Sequence, residues 1–130
     1  MIKTKAIFII YTKDQKAASQ FYTDLLEINP TLDVPGMTEF ELSESIKLGI
    51  MPAAGIKRIL DDKIDEPNCD LTNVKCELYL YVDQPEAYYN KAIALGAIGI
   101  SHLQNRNWGD VVAYCIDLDG NLLGFAKQIV

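Results

Sequence analysis

Residues 76–97, CELYLYVDQPEAYYNKAIALGA, switch hydrophobic period part way along. From Glu77 to Val82 the residues suit a strand, and alternation puts Glu77, Tyr79 and Tyr81 on one face. Gln84-Pro85-Glu86 then opens a helix, with proline in the first turn, where its missing N–H costs nothing. Ala87, Tyr88, Lys91, Ala92 and Leu95 follow at helical spacing, and Gly96 suits a C-terminal cap. Beyond it, Ile98–Leu103 reads as a short strand, Gln104–Trp108 as a turn region and Val111–Ile116 as a strand. Asp117–Asn121 is a tight turn, and Leu122–Lys127 the last strand. This half is strand, helix, then strands.

The same order precedes it. Ala6–Tyr11 is continuously apolar, as expected of a strand buried on both faces. Asp14 stands at an N-cap position, and Ala17, Ala18, Phe21, Tyr22, Leu25 and Leu26 give a helix over 14–27 that Asn29-Pro30 ends. Thr38–Ser43 alternates Glu39 and Glu41, pointing outward, with Phe40 and Leu42, pointing inward. A turn at Glu44-Ser45 leads into a strand over Ser45–Met51, stopped by Pro52. Ala53–Leu60 suits a short helix, and the acidic stretch 61–73 a loop. An offset of about 70 residues lays Ile9 on Tyr79, Tyr11 on Tyr81, Ala17 on Ala87 and Leu25 on Leu95. The chain therefore reads as one domain, 1–130, with module one at 1–52, a linker at 53–73 and module two at 74–130. A small βαβββ unit cannot bury its sheet face alone, and two units solve this by curving around each other.

Composition limits the function classes. The 130 residues are 49% hydrophobic and 23% charged, as in a globular chain of one core. Eighteen acidic against twelve basic residues leave a net charge of −6, which argues against nucleic acid as a partner and is compatible with a cationic ligand or simple solubility. Cys69, Cys76 and Cys115 form neither a disulfide framework nor a zinc CxxC pair. They read as free thiols of a reducing cytoplasm, with Cys76 and Cys115 buried in strands and Cys69 in a loop. Ala6–Tyr11 is too short to span a bilayer and no small-residue cleavage site follows, so a soluble, unprocessed protein without membrane contact is expected. Nucleotide-binding glycine loops, GxSxG and HExxH are all missing. Asp117–Asn121 lacks the distal glutamate of a calcium loop.

The segments 76–97 and NWGDVVAYCIDLDGNLLGFAK (107–127) resemble the recurring strand–helix and closing hairpin of the vicinal oxygen chelate superfamily, also called the glyoxalase/bleomycin resistance/dioxygenase superfamily. YTKDQKAASQFYTDLLEI (11–28) resembles its opening strand–helix. The resemblance implies an α+β fold, two βαβββ modules forming a cupped eight-stranded mixed sheet with helices outside. It also implies a homodimer. Metal-using members direct four side chains into the cup, from the first and last strand of each half, and a divalent ion needs His, Glu, Asp or Gln there. By this resemblance the first-strand positions are Ile7 and Glu77. The last-strand positions are one of Leu48, Ile50 or Met51, and Gly124 in place of a glutamate. One carboxylate does not make a transition-metal site, so no metal and no cofactor are expected. His102 does not stand at a matching position and reads as a surface or turn histidine.

The candidate ligand-binding residues are Ile7, Ile9, Phe40, Leu42, Glu77, Tyr79, Tyr81, Trp108, Tyr114 and Gly124. Tyrosine walls around one carboxylate suit a flat or cationic organic molecule. Glu77 is either that counter-charge or a strand residue bonded to hydroxyls or water, and the aromatics either line a pocket or pack a core. No catalytic residue is assigned. The implied function is a metal-independent small-molecule binding protein of the bleomycin-resistance-like branch. The alternative is a metal-dependent glyoxalase (lactoylglutathione lyase)-like lyase or a dioxygenase.

Overall fold

The computed structural model describes residues 5–129, which form an α+β fold of two four-stranded mixed sheets with three α-helices. The chain divides into two compact units between Cys69 and Asp70. The first contains β1 (Ala6–Thr12), α1 (Gln15–Leu26), β2 (Leu32–Val34), β3 (Met37–Glu41), β4 (Ile46–Pro52) and α2 (Ala53–Leu60). The second contains β5 (Glu77–Tyr81), α3 (Pro85–Ala94), β6 (Ile98–Asn105), β7 (Asp110–Ile116) and β8 (Leu122–Gln128). Strand order is β1-β4-β3-β2 in the first sheet and β5-β8-β7-β6 in the second. In each, the first strand runs parallel to the last and the other pairs are antiparallel. Both units are thus βαβββ repeats, as the offset between the halves predicts.

Local chemistry sets the helix ends. The Asp14 carboxylate accepts from the Ala17 N–H at 3.0 Å and caps α1. Pro85 occupies the first turn of α3, and Gly96, at φ +111°, closes it. Helix α1 sets Ala18, Phe21, Tyr22 and Leu25 toward the sheet side carrying Phe40, Leu48 and Ile50, all buried. Burying each large side chain contributes about 1.5–3 kcal/mol. On the second sheet Val112, Cys115, Leu123 and Phe125 are buried, and the Tyr88 ring of α3 lies 5.7 Å from Phe125. Asp117 ties the β7–β8 turn: one carboxylate oxygen accepts from the N–H groups of Asp119 and Asn121, each at 2.9 Å, and the other from the Asn121 amide at 3.0 Å.

Several sequence expectations are corrected. Phe40 does not line an open cup: it is fully buried on the helix side, while Glu39, opposite Gly49, lies on the open face. Leu42 lies beyond the end of β3, in the turn before β4. Strand β1 is not buried on both faces, since Ile7, Phe8 and Ile9 are 42%, 63% and 39% exposed at a sheet edge. Cys76 is exposed and precedes β5, its thiol donating to the Asn121 side-chain Oδ1 at 3.4 Å. Strand β6 continues to Asn105, two residues beyond the predicted end. Among the described residues, no helix is long and apolar enough to cross a membrane.

Candidate functional site

The open face of the second sheet is built by register. Glu77, Tyr79 and Tyr81 of β5 lie opposite Leu122, Gly124 and Ala126 of β8, and Tyr114 of β7 lies opposite the same Gly124. Alternation along β7 from Tyr114 through Val112 carries Asp110 to this face. The Tyr79 and Tyr81 hydroxyls both donate to one oxygen of the Asp110 carboxylate, at 2.6 and 2.8 Å. The Trp108 indole N–H donates to the Tyr79 oxygen at 2.9 Å. The two tyrosine rings stack with centroids 5.5 Å apart. Asp110 is 4% exposed, whereas Tyr81 and Trp108 are 62% and 56% exposed. A buried carboxylate therefore organises an exposed aromatic surface.

Protonation follows from these contacts. The hydrogen bond from Tyr79 holds the Asp110 carboxyl below its usual range, with the bond from Tyr81 acting the same way. Desolvation, and then the bond to Asp110, pushes the Tyr79 phenol up to about 12. The bond to Asp110 raises Tyr81 too. Tyr114 is raised by desolvation first and by the charge of Glu77 second. At neutral pH the network is one carboxylate and two protonated phenols.

Charge differs between the sheets. On the first, Glu39 is paired with Lys47 at 3.2 Å. On the second, neither Glu77 nor Asp110 has an ion pair among the described residues. Arg106 donates to the Ser101 hydroxyl at 2.9 Å and the Val112 carbonyl at 3.0 Å, with its guanidinium 5.1 Å from the centre of the Tyr114 ring. It bonds to hydroxyl and carbonyl oxygens, not to either carboxylate.

The structure thus groups Glu77, Tyr79, Tyr81, Trp108, Tyr114 and Gly124 on or beside one face, and it keeps Phe40 and Leu42 off the open face of the first sheet. Ile7 and Ile9 lie on that open face, flanking Gly49. His102 is exposed on β6, its ring 5.6 Å from Tyr89, away from Asp110. The sequence reading missed Asp110, which looks like a turn residue after Trp108-Gly109. The alternating positions of β7 were the signal that reached it.

Register also shows which β4 residues face the open side of the first unit. Leu48 and Ile50 are buried on the helix side, and the residue opposite Ile9, matching Gly124 opposite Tyr79, is Gly49. A Cβ on Gly49 would lie 3.1 Å from Ile7 and Ile9, and one on Gly124 would lie 3.2 Å from Tyr114 and 3.3 Å from Glu77. In the first unit the paired positions Ile7 and Gly49 carry no donor side chain, and in the second Glu77 carries one and Gly124 none. Neither unit by itself offers a donor set for a divalent transition metal at these positions. A cleft of about 460 Å³ at the start of α3 includes Tyr81, Gln84 and Tyr88, and one of about 600 Å³ in the first unit runs along Gln15, Ser19 and Asp33.

Solved structures carry the same fold. A glyoxalase-related enzyme from Fulvimarina pelagi superposes with TM-score 0.81 at 14% identity, covering 98% of this chain and 89% of that one. A glyoxalase/bleomycin resistance protein/dioxygenase from Nocardioides gives 0.78 at 17% identity, over 99% and 85%. A family enzyme of the same description from Burkholderia phytofirmans PsJN gives 0.80 at 18% identity, over 95% and 97%. No family model matches the chain, and no curated protein matches it.

Proposed function

With the vicinal oxygen chelate fold as premise, we propose that this protein is a metal-independent binding protein for a small organic cation with a flat or aromatic body, held on the open face of the second sheet. One observation carries this reading: two carboxylates, Glu77 and Asp110, stand on a tyrosine- and tryptophan-lined surface with no lysine or arginine ion-paired to either among the described residues. Fixed negative charge beneath exposed aromatic rings attracts cations through both Coulomb and cation–π terms. The donor-poor pairs, Ile7 with Gly49 in the first unit and Glu77 with Gly124 in the second, support metal independence over the alternative of a metal-dependent lyase or dioxygenase. Glu77 supplies long-range attraction, Asp110 fixes the two phenols, and Trp108 provides an exposed wall. The exposed apolar residues of edge strand β1 support a homodimer as part of the same proposal, for which light scattering would give twice the monomer mass.

The experiment is metal analysis of protein purified without chelator, followed by a thermal-shift screen of organic cations, neutral aromatics and thiol conjugates. Substoichiometric metal is expected. A cation at 100 times its dissociation constant should add about 2.7 kcal/mol, a rise in Tm of roughly 10 °C for a chain of this size. Glu77→Gln should weaken that cation severalfold and leave stability unchanged within about 0.5 kcal/mol, because Glu77 is exposed. Stoichiometric transition metal, or a screen answered by neutral aromatics alone, would overturn the reading.

A further inference from the structure

We infer that the open face of the second sheet selects cations that carry N–H hydrogens, ammonium or guanidinium groups, over quaternary ammonium ions, with Tyr81 reading the N–H and Asp110 positioning Tyr81 to do so. This rests on the proposed binding of an organic cation and adds its chemical class.

A phenol has one hydrogen to give, and an ionised carboxylate only accepts. Both tyrosine hydroxyls lie within hydrogen-bond distance of the same Asp110 oxygen, at 2.6 and 2.8 Å, so both hydrogens are committed to it. The Tyr79 oxygen also accepts from the Trp108 indole at 2.9 Å, which uses the only side-chain donor of that residue. The Tyr81 oxygen has no further partner among the described residues, and its side chain is 62% exposed. What Tyr81 offers a ligand is therefore lone pairs alone. Donation to a carboxylate also polarises the phenol and strengthens its oxygen as an acceptor. Stacking on Tyr79, at 5.5 Å between centroids, holds the ring in place.

The surroundings point the same way. Glu77, on the same face, is a second acceptor. The Arg106 guanidinium bonds to Ser101 and Val112 through one nitrogen while its buried Nε has no partner among the described residues, and it lies against Tyr114, not Tyr81. Around Tyr81 itself the side-chain groups, Glu77, Asp110 and the Tyr79 oxygen, are acceptors. A carbonyl or ether oxygen brought to Tyr81 meets a lone pair with a lone pair. A trimethylammonium group is attracted by charge and ring faces but has no hydrogen for the Tyr81 oxygen. An ammonium or guanidinium group satisfies both terms.

The test uses a matched pair, phenethylammonium and phenethyltrimethylammonium, titrated into the full chain and followed by NMR. Phenethylammonium should bind about tenfold more tightly. Tyr81→Phe removes one exposed oxygen from a residue that the core does not need. It should abolish that preference while leaving the trimethyl compound within twofold of its original affinity. Asp110→Asn gives the tyrosines a partner that can donate, frees a phenol hydrogen to turn outward, and should shrink the preference as well. If Asp110→Asn does not fold, Tyr81→Phe decides alone. Equal or tighter binding of the trimethyl compound overturns this inference and leaves the proposed binding of organic cations standing. A preference that survives intact in Tyr81→Phe overturns the role of Tyr81. Failure of both cations to bind overturns the cation reading and this inference with it.

Discussion

Gly120 is the residue at which a single methyl group should cost the second unit most. It sits in the β7–β8 turn at φ +87°, where a side chain strains the backbone by roughly 1–2 kcal/mol. A Cβ there would also run into the carbonyl oxygen of Asp70 and crowd the Lys75 ammonium at 3.0 Å. The obstacle is backbone, so the 70–75 segment must move. That movement breaks the bond from Lys75 to the Asp119 carbonyl, 2.7 Å long, for about 1.5 kcal/mol more. It also strains the entry to β5, where the Cys76 carbonyl accepts from Leu122 N–H at 3.0 Å. Gly120→Ala should therefore lose about 2.5–3.5 kcal/mol in all. At roughly 2.1 cal/mol/K per residue of unfolding entropy, that lowers Tm by about 9–13 °C. Gly109 is the control. Its φ is +95°, and a methyl group on it would meet nothing within 4 Å, so Gly109→Ala carries the backbone strain alone. Calorimetry of both variants isolates the collision. A Gly120→Ala protein that melts no lower than Gly109→Ala would refute the reasoning.

Phe40→Ala should cost about 3–5 kcal/mol in denaturant unfolding, because the ring is fully buried beneath α1; a loss below about 1 kcal/mol would return Phe40 to the open face. Tyr79, pushed up to about 12, should remain un-ionised in an absorbance titration after ordinary tyrosines have ionised, with Tyr81 and Tyr114 also delayed. Since these folded-state values are raised, the stabilisation they carry is complete below the unfolded value near 10 and is lost as pH climbs toward 12. Cys115, buried and also raised to about 12, adds a loss that begins above about 8.5. A melting temperature unchanged from about pH 9 to 11.5 would contradict both. Thiol labelling of native protein should modify Cys69 and Cys76 and leave Cys115 unreacted until denaturant is added, as followed by mass spectrometry.

Much of the architecture was legible because the signals are local. Asp14 before Ala17 and Ala18 announces a capped helix, and Asp117 through Asn121 announces a turn, whatever lies far away in sequence. The open face of the second sheet was legible for a related reason: Glu77, Tyr79 and Tyr81 alternate with leucines, and the leucines, half-buried, take the opposite face with Leu123 and Phe125. The same rule places Phe40 under α1. Treating an apolar strand position as a cup position was the error, since the apolar side of β3 is the side its own helix covers. Alternation along β7 carries Asp110 to the open face, but what Asp110 and Gly49 do was out of reach for a different reason. Asp110 matters through partners on another strand, and Gly49 through its pairing with β1. Both depend on register, which alternation within one strand does not contain.

The parallel pairing of first strand with last has a consequence for the order of events during synthesis. Ala6 finds its partner only when Ile46 has been made, and Glu77 only when Leu122 has. Strands β2–β4, and likewise β6–β8, can zip as meanders from neighbouring segments, but β1 and β5 must wait for the end of their own repeat. Each repeat is therefore a self-timed unit. The leading one has all its pairing partners once Pro52 has left the ribosome, before β5 has emerged from it, so it can pair its own strands before those of the second sheet are exposed. A duplicated sequence runs the risk of exchanging like strands between copies, and this connectivity separates the copies in time.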